Sequence, residues 1–476
     1  MDSLLDIVRE SGRAAIGLFT YPYFYMAIAL VVWHARHTVT LQRRLYHVRL
    51  YSMLTLTLTR VGAGLAVGLV LSLASLGIGA RFNGETLAAL WIAMAVLALF
   101  RLRYVCLAYA AGALGLLQGI ADWTGLKASE AAQAYEPAAE AIRVVAALDV
   151  PGLILAAGLL HIAEGLLVRL QRRKLAVPLF LQGKRGKPLG GYALSGVWPI
   201  PLLWLVPSGD GGFALPWQPL FGDGVGLWSL LAFPVLIGFS DRTTTQWPED
   251  KAKSSGNRLM LYGAIIGAMA IAAVYWPPAS VIAAIAAFAL HEGLLWTSRM
   301  GEAGKEPRFA QEGNDVKVLA VLPGTPAAEM GLLAGERIQK VNGAVVRNKE
   351  QLHAAMQLQS AFCKLEVVNR EGHVKFVQRA RYEGEHHQLG IILAPDEDAE
   401  FVAAPRSASL WQILRASGAR RLRNSPTMKL RALREAEQAA AEQAAARQAE
   451  ALAAEQAKLE AMEGLPPRSA GAQKKS

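Results

Sequence analysis

At 476 residues, 53% hydrophobic and only 18% charged, with a mean hydropathy of +0.26, the chain is too apolar for an ordinary soluble enzyme. It reads as a basic integral membrane protein of formal net charge +11. Its two cysteines, Cys106 in an apolar run and Cys363 in a more polar one, are far apart, which argues against a structural disulfide and leaves no cysteine pair for a metal.

The first residues carry Asp2, Asp6 and Glu10 where a cleavable secretory signal would be basic, so the first apolar run is expected to remain as a span. Apolar segments of bilayer length, or nearly so, run from about Ala14 to Trp33, Val61 to Ala80, Thr86 to Phe100, Tyr104 to Ile120 and Val150 to Val168. Others follow at Gly191 to Val206, Gly226 to Phe239, Leu259 to Trp276 and Ala279 to Trp296. Together they predict a membrane α-helical bundle of about eight or nine transmembrane helices over residues 1–300. Several hold only about 15 apolar residues, short of the roughly 20 an upright helix needs, which leaves room for one or two re-entrant segments.

Charge sets the orientation. The loop with Arg36, Arg43, Arg44 and Arg49 has no acidic residue, nor does the segment with Arg169, Arg172, Arg173, Lys174, Lys184, Arg185 and Lys187. The positive-inside rule puts both in the cytoplasm, and with nine spans everything after Arg299 follows them there. Nine spans leave the N-terminus outside, whereas eight bring it in.

After a short linker, Gly301 to Gln311, the pattern changes. Val318 and Val321 predict a strand, Pro323-Gly324 a turn, and Pro326 the start of a short helix through Ala327, Ala328 and Met330. Ile338 to Val341 predict a second strand, ended by the hairpin signal Asn342-Gly343. This order of a Pro-Ala-Ala helix, a Gly-Leu step and an Ile-x-x-Val-Asn-Gly strand resembles the bacterial type of PDZ domain. The resemblance implies a small α+β domain over residues 312–395 that binds an extended peptide by strand addition. A helix from Lys349 to Leu358 would wall the groove and place Lys349, His353 and Met356 on one face. The family's carboxylate loop, Gly-Leu-Gly-hydrophobic, has its nearest match at Gln388-Leu389-Gly390-Ile391, near the C-terminal end as in circularly permuted relatives. Gln388 in place of the first glycine weakens the case for capture of a free carboxylate. Met356, Leu389 and Ile391 can equally be core residues.

Residues 396–424 form an acidic and then basic linker. Arg406 to Arg434 holds eight Lys or Arg and no acid, with Leu410, Trp411, Ile413 and Leu414 nearby. That composition suits anionic lipids better than nucleic acid, for which no presenting fold is recognisable. Ser425-Pro426 opens an Ala- and Glu-rich helix over 425–463, stopped by Gly464-Leu-Pro-Pro467, and 464–476 is expected to be disordered.

Two spans carry ionisable pairs, His161 with Glu164 and His291 with Glu292. An ionised group at the bilayer centre costs roughly 2.5–3.5 kcal/mol, so these need partners or a wet cavity. They read as cross-helix hydrogen bonds that fix the bundle, as a transport or ligand path, or as catalytic groups. An intramembrane zinc protease needs His-Glu-x-x-His, but His291-Glu292 is followed by Gly293-Leu294-Leu295. No Gly-x-Ser-x-Gly elbow or phosphate-binding glycine loop occurs either. No enzymatic activity, cofactor or metal is expected.

Beyond the architecture, Tyr21-Pro-Tyr-Phe-Tyr25 before the Arg-rich loop, and Lys184-Arg-Gly-Lys-Pro-Leu-Gly-Gly-Tyr-Ala-Leu-Ser-Gly-Val-Trp-Pro-Ile-Pro201, resemble the MinJ family of membrane-spanning division-site proteins of Gram-positive bacteria. The resemblance spans roughly Leu4 to Pro395, and the tail beyond departs from it. It implies a non-enzymatic adaptor that bridges a polar scaffold of the DivIVA type to a division inhibitor of the MinD type, septal or polar in location. The alternative is a membrane transporter or sensor with a regulatory PDZ domain, or a degenerate relative of intramembrane proteases.

Overall fold

Proline decides where the first helices break. In the computed structural model, α1 (Asp2–Thr20) and α2 (Pro22–Tyr46) meet at an angle of 62° across Tyr21-Pro22. Pro22 has no N–H to continue the ladder and pushes Tyr21 out of the helical region, so the expected first span is a bent pair. The structure describes residues 2–396 apart from 47–49, 127–128, 130–133, 183–187, 210, 223–225, 312–314, 359–360 and 381–388. The expected lipid-binding stretch 406–434, the helix over 425–463, the tail 464–476 and nearly all of the linker 396–424 lie outside the described residues.

Helices α3 (Met53–Ile78), α4 (Gly84–Phe100), α5 (Leu107–Trp123), α6 (Glu136–Ala146), α7 (Val150–Leu170) and the one-turn α8 (Arg172–Leu175) follow. Their starts are capped locally: the Ser52 hydroxyl accepts from Thr55 N at 3.0 Å, Asn83 forms a capping box with Thr86, and Asp149 accepts from Gly152 N at 2.9 Å. Strands β1 (Ala176–Gln182), β2 (Pro188–Pro207) and β3 (Trp228–Thr243) then form an antiparallel sheet in that order, before α9 (Pro248–Tyr275) and α10 (Ala279–Ala303). Among the described residues, α3, α7, α9 and α10 are long and apolar enough to cross a membrane, and the α1–α2 pair makes a fifth if counted as one span.

Two expected spans are therefore corrected. Gly191 to Val206 and Gly226 to Phe239 are strand, the expected spans at Thr86 to Phe100 and Tyr104 to Ile120 fall on α4 and α5 of 17 residues each, and four or five candidates remain among the described residues where eight or nine transmembrane helices are expected. Each interior proline costs a helix about 3 kcal/mol, and the first of these segments carries Pro199 and Pro201 and the second Pro234. In the β2–β3 ladder Pro201 stands opposite Pro234, with Pro199 and Pro207 in the same phase. There the N–H groups point away from the partner strand, so no ladder bond is lost. The alternate residues Trp198, Ile200, Leu202 and Trp204 are fully buried in the main core. The proline face meets α3, whose Gly64 and Gly68 pack against the carbonyls of Pro199 and Pro201 too closely for any side chain.

Helix α7 is the centre of the bundle: 72% of its apolar window is buried, against 22% for α3 and α10. It runs antiparallel to α9 at backbone contact. A Cβ on Gly158 would stand 2.7 Å from the Gly263 carbonyl oxygen, and one on Gly256 2.7 Å from that of Gly165. Small residues seven apart on both helices thus build one seam, the packing that substitutes for hydrophobic force inside lipid.

The C-terminal module holds β4 (Val316–Val321), α11 (Pro326–Glu329), β5 (Arg337–Val341), β6 (Ala344–Val345), α12 (Lys349–Leu358), β7 (Phe362–Val368), β8 (Val374–Ala380) and β9 (Ile391–Leu393). Its sheet order is β8-β7-β5-β4-β9, with β6 paired to β5. Asn342 and Gly343, at φ 53° and 87°, make the tight turn that the Asn-Gly signal predicts. Val318, Ile338, Leu352, Leu365 and Val367 form a core of its own.

Gly158→Val or Gly256→Val is expected to destabilise the bundle by about 1–3 kcal/mol or more through overpacking. Gly17→Ala, at a site with nothing within 4 Å, should change stability little. Thermal unfolding of the detergent-solubilised protein checks this, and equal behaviour of the three variants would refute the seam.

Candidate functional site

The module's sheet ends in its last strand. β9 ends the sheet order and pairs with β4 on one side, with Val318 opposite Leu393 and Val321 opposite Ile391. Leu389 and Gly390 enter it at φ 56° and 79°, and their carbonyls accept from Ala327 N and Leu322 N, both at 2.9 Å. That left-handed pair turns the chain sharply into β9, and the turn is locked because Gly390 lies against Thr325. Of the six groove residues expected from the sequence, Met356, Leu389 and Ile391 are buried members of the module's core and Gly390 is buried beside them. Along α12 the face passes from buried Met356 through half-buried His353 to exposed Lys349.

The module does not hang from the bundle. The expected linker is folded: α10 continues to Ala303, and Phe309 is completely buried with Tyr192, Leu319, Ala320, Leu322 and Ile392. Alternation along β9 divides the labour, since Ile391 faces the module's core and Ile392 this junction. Gly190 N donates to Phe309 O at 3.0 Å, Arg308 N to Thr244 O at 2.8 Å, and the Tyr192 hydroxyl to Leu319 O. The Trp247 ring receives two guanidinium groups, Arg370 at 3.8 Å and Arg308 at 5.0 Å, and presses on Gly335. A shallow cleft of about 380 Å³ at this junction is lined by Arg308, Lys317, Arg337 and Arg370 among others. Beside it, buried Lys251 lies 3.3 Å from Glu302 and 3.6 Å from Asp241, while Glu302 accepts from Thr244 N and Thr245 N.

Inside the bundle, three of the four expected ionisable residues converge. The His161 and His291 rings are 5.3 Å apart and nearly perpendicular. Arg103 Nη2 donates to both Glu292 oxygens at 2.9 Å, Tyr109 donates to Glu292 Oε1 at 2.8 Å, and His291 Nδ1 is 2.9 Å from the Tyr109 oxygen. Glu164, one turn along α7 from His161, takes part in none of the hydrogen bonds or ion pairs of the described residues. Sequence reasoning missed Arg103, Tyr109 and Cys106, which lie before or at the start of another apolar helix and share no spacing with the histidines.

Residues 317–370 match a family model described as PDZ domain. Over 407 residues, 85% of this chain and 98% of the relative, the sequence is 29% identical to the cell division topological determinant MinJ of Bacillus subtilis (strain 168). The chain is thus similar to MinJ over nearly that protein's whole length and carries a PDZ domain. A probable cell division topological determinant MinJ of Lacticaseibacillus paracasei is 27% identical over 250 residues, 51% of this chain and 65% of that protein. One from Lacticaseibacillus casei (strain BD-II) matches to the same extent. No solved structure matches.

In this MinJ-like chain the PDZ sheet and the membrane-candidate helices share one buried junction, so a substitution there should act on docking alone. Trp247→Ala removes two cation–ring contacts and the edge contact with Phe309, worth roughly 1–3 kcal/mol together. Hydrogen exchange is expected to speed up at Gly190 N while Ile338 and Val367 stay protected. Unchanged exchange at Gly190 would contradict rigid docking.

Proposed function

We propose that the chain is a non-enzymatic membrane adaptor in division-site selection, with the PDZ domain recruiting an extended segment of a protein partner. The observation that carries this reading is the match to nearly the whole length of the Bacillus subtilis determinant by a chain whose PDZ domain ends its sheet with β9. The polar groups of the bundle support it as well, because Glu292 is committed to Arg103 and Tyr109.

The bundle is multi-pass and the PDZ domain faces the cytoplasm. Antiparallel packing brings the end of α7, the start of α9 and the end of α10 to one end, as the contacts Gly165 to Gly256 and Lys251 to Glu302 require. That end carries Arg169, Arg172, Arg173, Lys174, Lys253 and Arg299, the excess expected of a cytoplasmic side. The partners are a scaffold of the DivIVA type and an inhibitor of the MinD type, and residues 406–434 add a hold on anionic lipids.

A fluorescent fusion of the full chain should mark division sites and poles. Lys349→Glu with His353→Glu, at the exposed and half-buried positions of that α12 face, should leave insertion intact and lower co-purification of the two partner types at least tenfold. Uniform membrane fluorescence, or partner capture indifferent to both substitutions, counts against the adaptor.

A further inference from the structure

Three helices bring a thiol and two imidazoles together inside the bundle. Cys106 stands at the N-cap of α5, His161 in the middle of α7 and His291 in α10, and one ligand atom from each lies within 4.8 Å of the others. Cys106 Sγ is 3.4 Å from His161 Nε2. A tetrahedral ion at about 2.3 Å from sulfur and about 2.1 Å from nitrogen would hold those donors about 3.6 Å apart.

The surrounding bonds orient both rings as ligands. His161 Nδ1 is 2.7 Å from the Ala157 carbonyl, which only accepts, so the proton sits on Nδ1 and Nε2 keeps its lone pair. Glu292, paired with Arg103, accepts the Tyr109 proton, so the Tyr109 oxygen accepts in turn from His291 Nδ1–H. Nε2 of His291 is thereby freed too. A backbone carbonyl behind one histidine and a Tyr–Glu–Arg relay behind the other are the supports that metal-binding imidazoles use.

We propose that Cys106, His161 and His291 bind one zinc ion, which pins the start of α5 to α7 and α10. The Cys106 side chain makes no capping bond, which leaves its sulfur to the cluster. One thiolate and two neutral imidazoles leave a single positive charge on the site. Glu164 lies outside this group of three donors, so a water completes the fourth position.

The full chain, purified in detergent without chelators and dialysed against zinc chloride, is expected to hold about one zinc per chain. Cys363→Ser should retain it, whereas Cys106→Ser and His291→Gln should each weaken binding at least tenfold. Cobalt in place of zinc should give a thiolate-to-metal charge-transfer band that Cys106→Ser abolishes. A wild-type chain that takes up no zinc overturns the proposal whatever the variants do. So does zinc that stays bound in both variants.

Discussion

Backbone contact between α7 and α9 is the constraint on which the rest of the bundle depends. Gly158 and Gly165 meet Gly263 and Gly256, and nothing larger than hydrogen fits between them. Side chains at that seam would push α9 outward and move Tyr262, which stands edge-on to His161 at 5.0 Å and donates to Ala287 O of α10 at 2.6 Å. The seam therefore sets the distance between α7 and α10, and with it the spacing of His161 and His291. It also places Lys251 at the start of α9, where it reaches Asp241 of β3 and Glu302 of α10. A buried cation with two carboxylate partners is strongly destabilised by losing either, so this knot ties the sheet, two helices and the module's entry point into one unit.

What could be read beforehand follows from how local each signal is. The PDZ domain was legible because turn chemistry is local: Pro326 opens a helix and Asn342-Gly343 forces a hairpin whatever surrounds them. Spans were legible only as apolar length, a property shared by a lipid-facing helix and a strand buried in protein. The segments of β2 and β3 thus read as helices by length alone, although Pro199, Pro201 and Pro207 at odd positions spell out period two. Tyr21-Pro22 carried the break of the first span in the same way. His161, His291 and Glu292 could be singled out by the cost of burying them, but their grouping, and the addition of Cys106 and Tyr109, depends on helix packing that no single-chain spacing encodes.

The docked module changes what a tether means in this architecture. A domain on a free linker samples many orientations, and each partner encounter must select one. Here Phe309, Tyr192 and Leu319 close around the connection, and Arg308 bridges from the connecting segment to Thr244, Thr245 and Trp247. The β9 edge is consequently held in one orientation relative to α9 and α10. Fixing that orientation removes part of the ordering cost that binding would otherwise incur.

The fate of Met356, Leu389 and Ile391 bears on what kind of recognition remains. In strand addition, main-chain hydrogen bonds give affinity and side-chain pockets give selectivity. Those three residues are packed into the module's own core, so on the adaptor reading the pocket side is filled from within and exposed Lys349 and half-buried His353 are left to discriminate. Such an edge favours a partner by charge and extended shape more than by one deep anchor, which makes for modest intrinsic affinity. On the adaptor reading this is workable, because confining both proteins to one membrane raises their effective concentration and multiplies weak contacts into occupancy. The same arithmetic makes occupancy depend on where the bundle accumulates, so recruitment would track position along the membrane more than partner abundance.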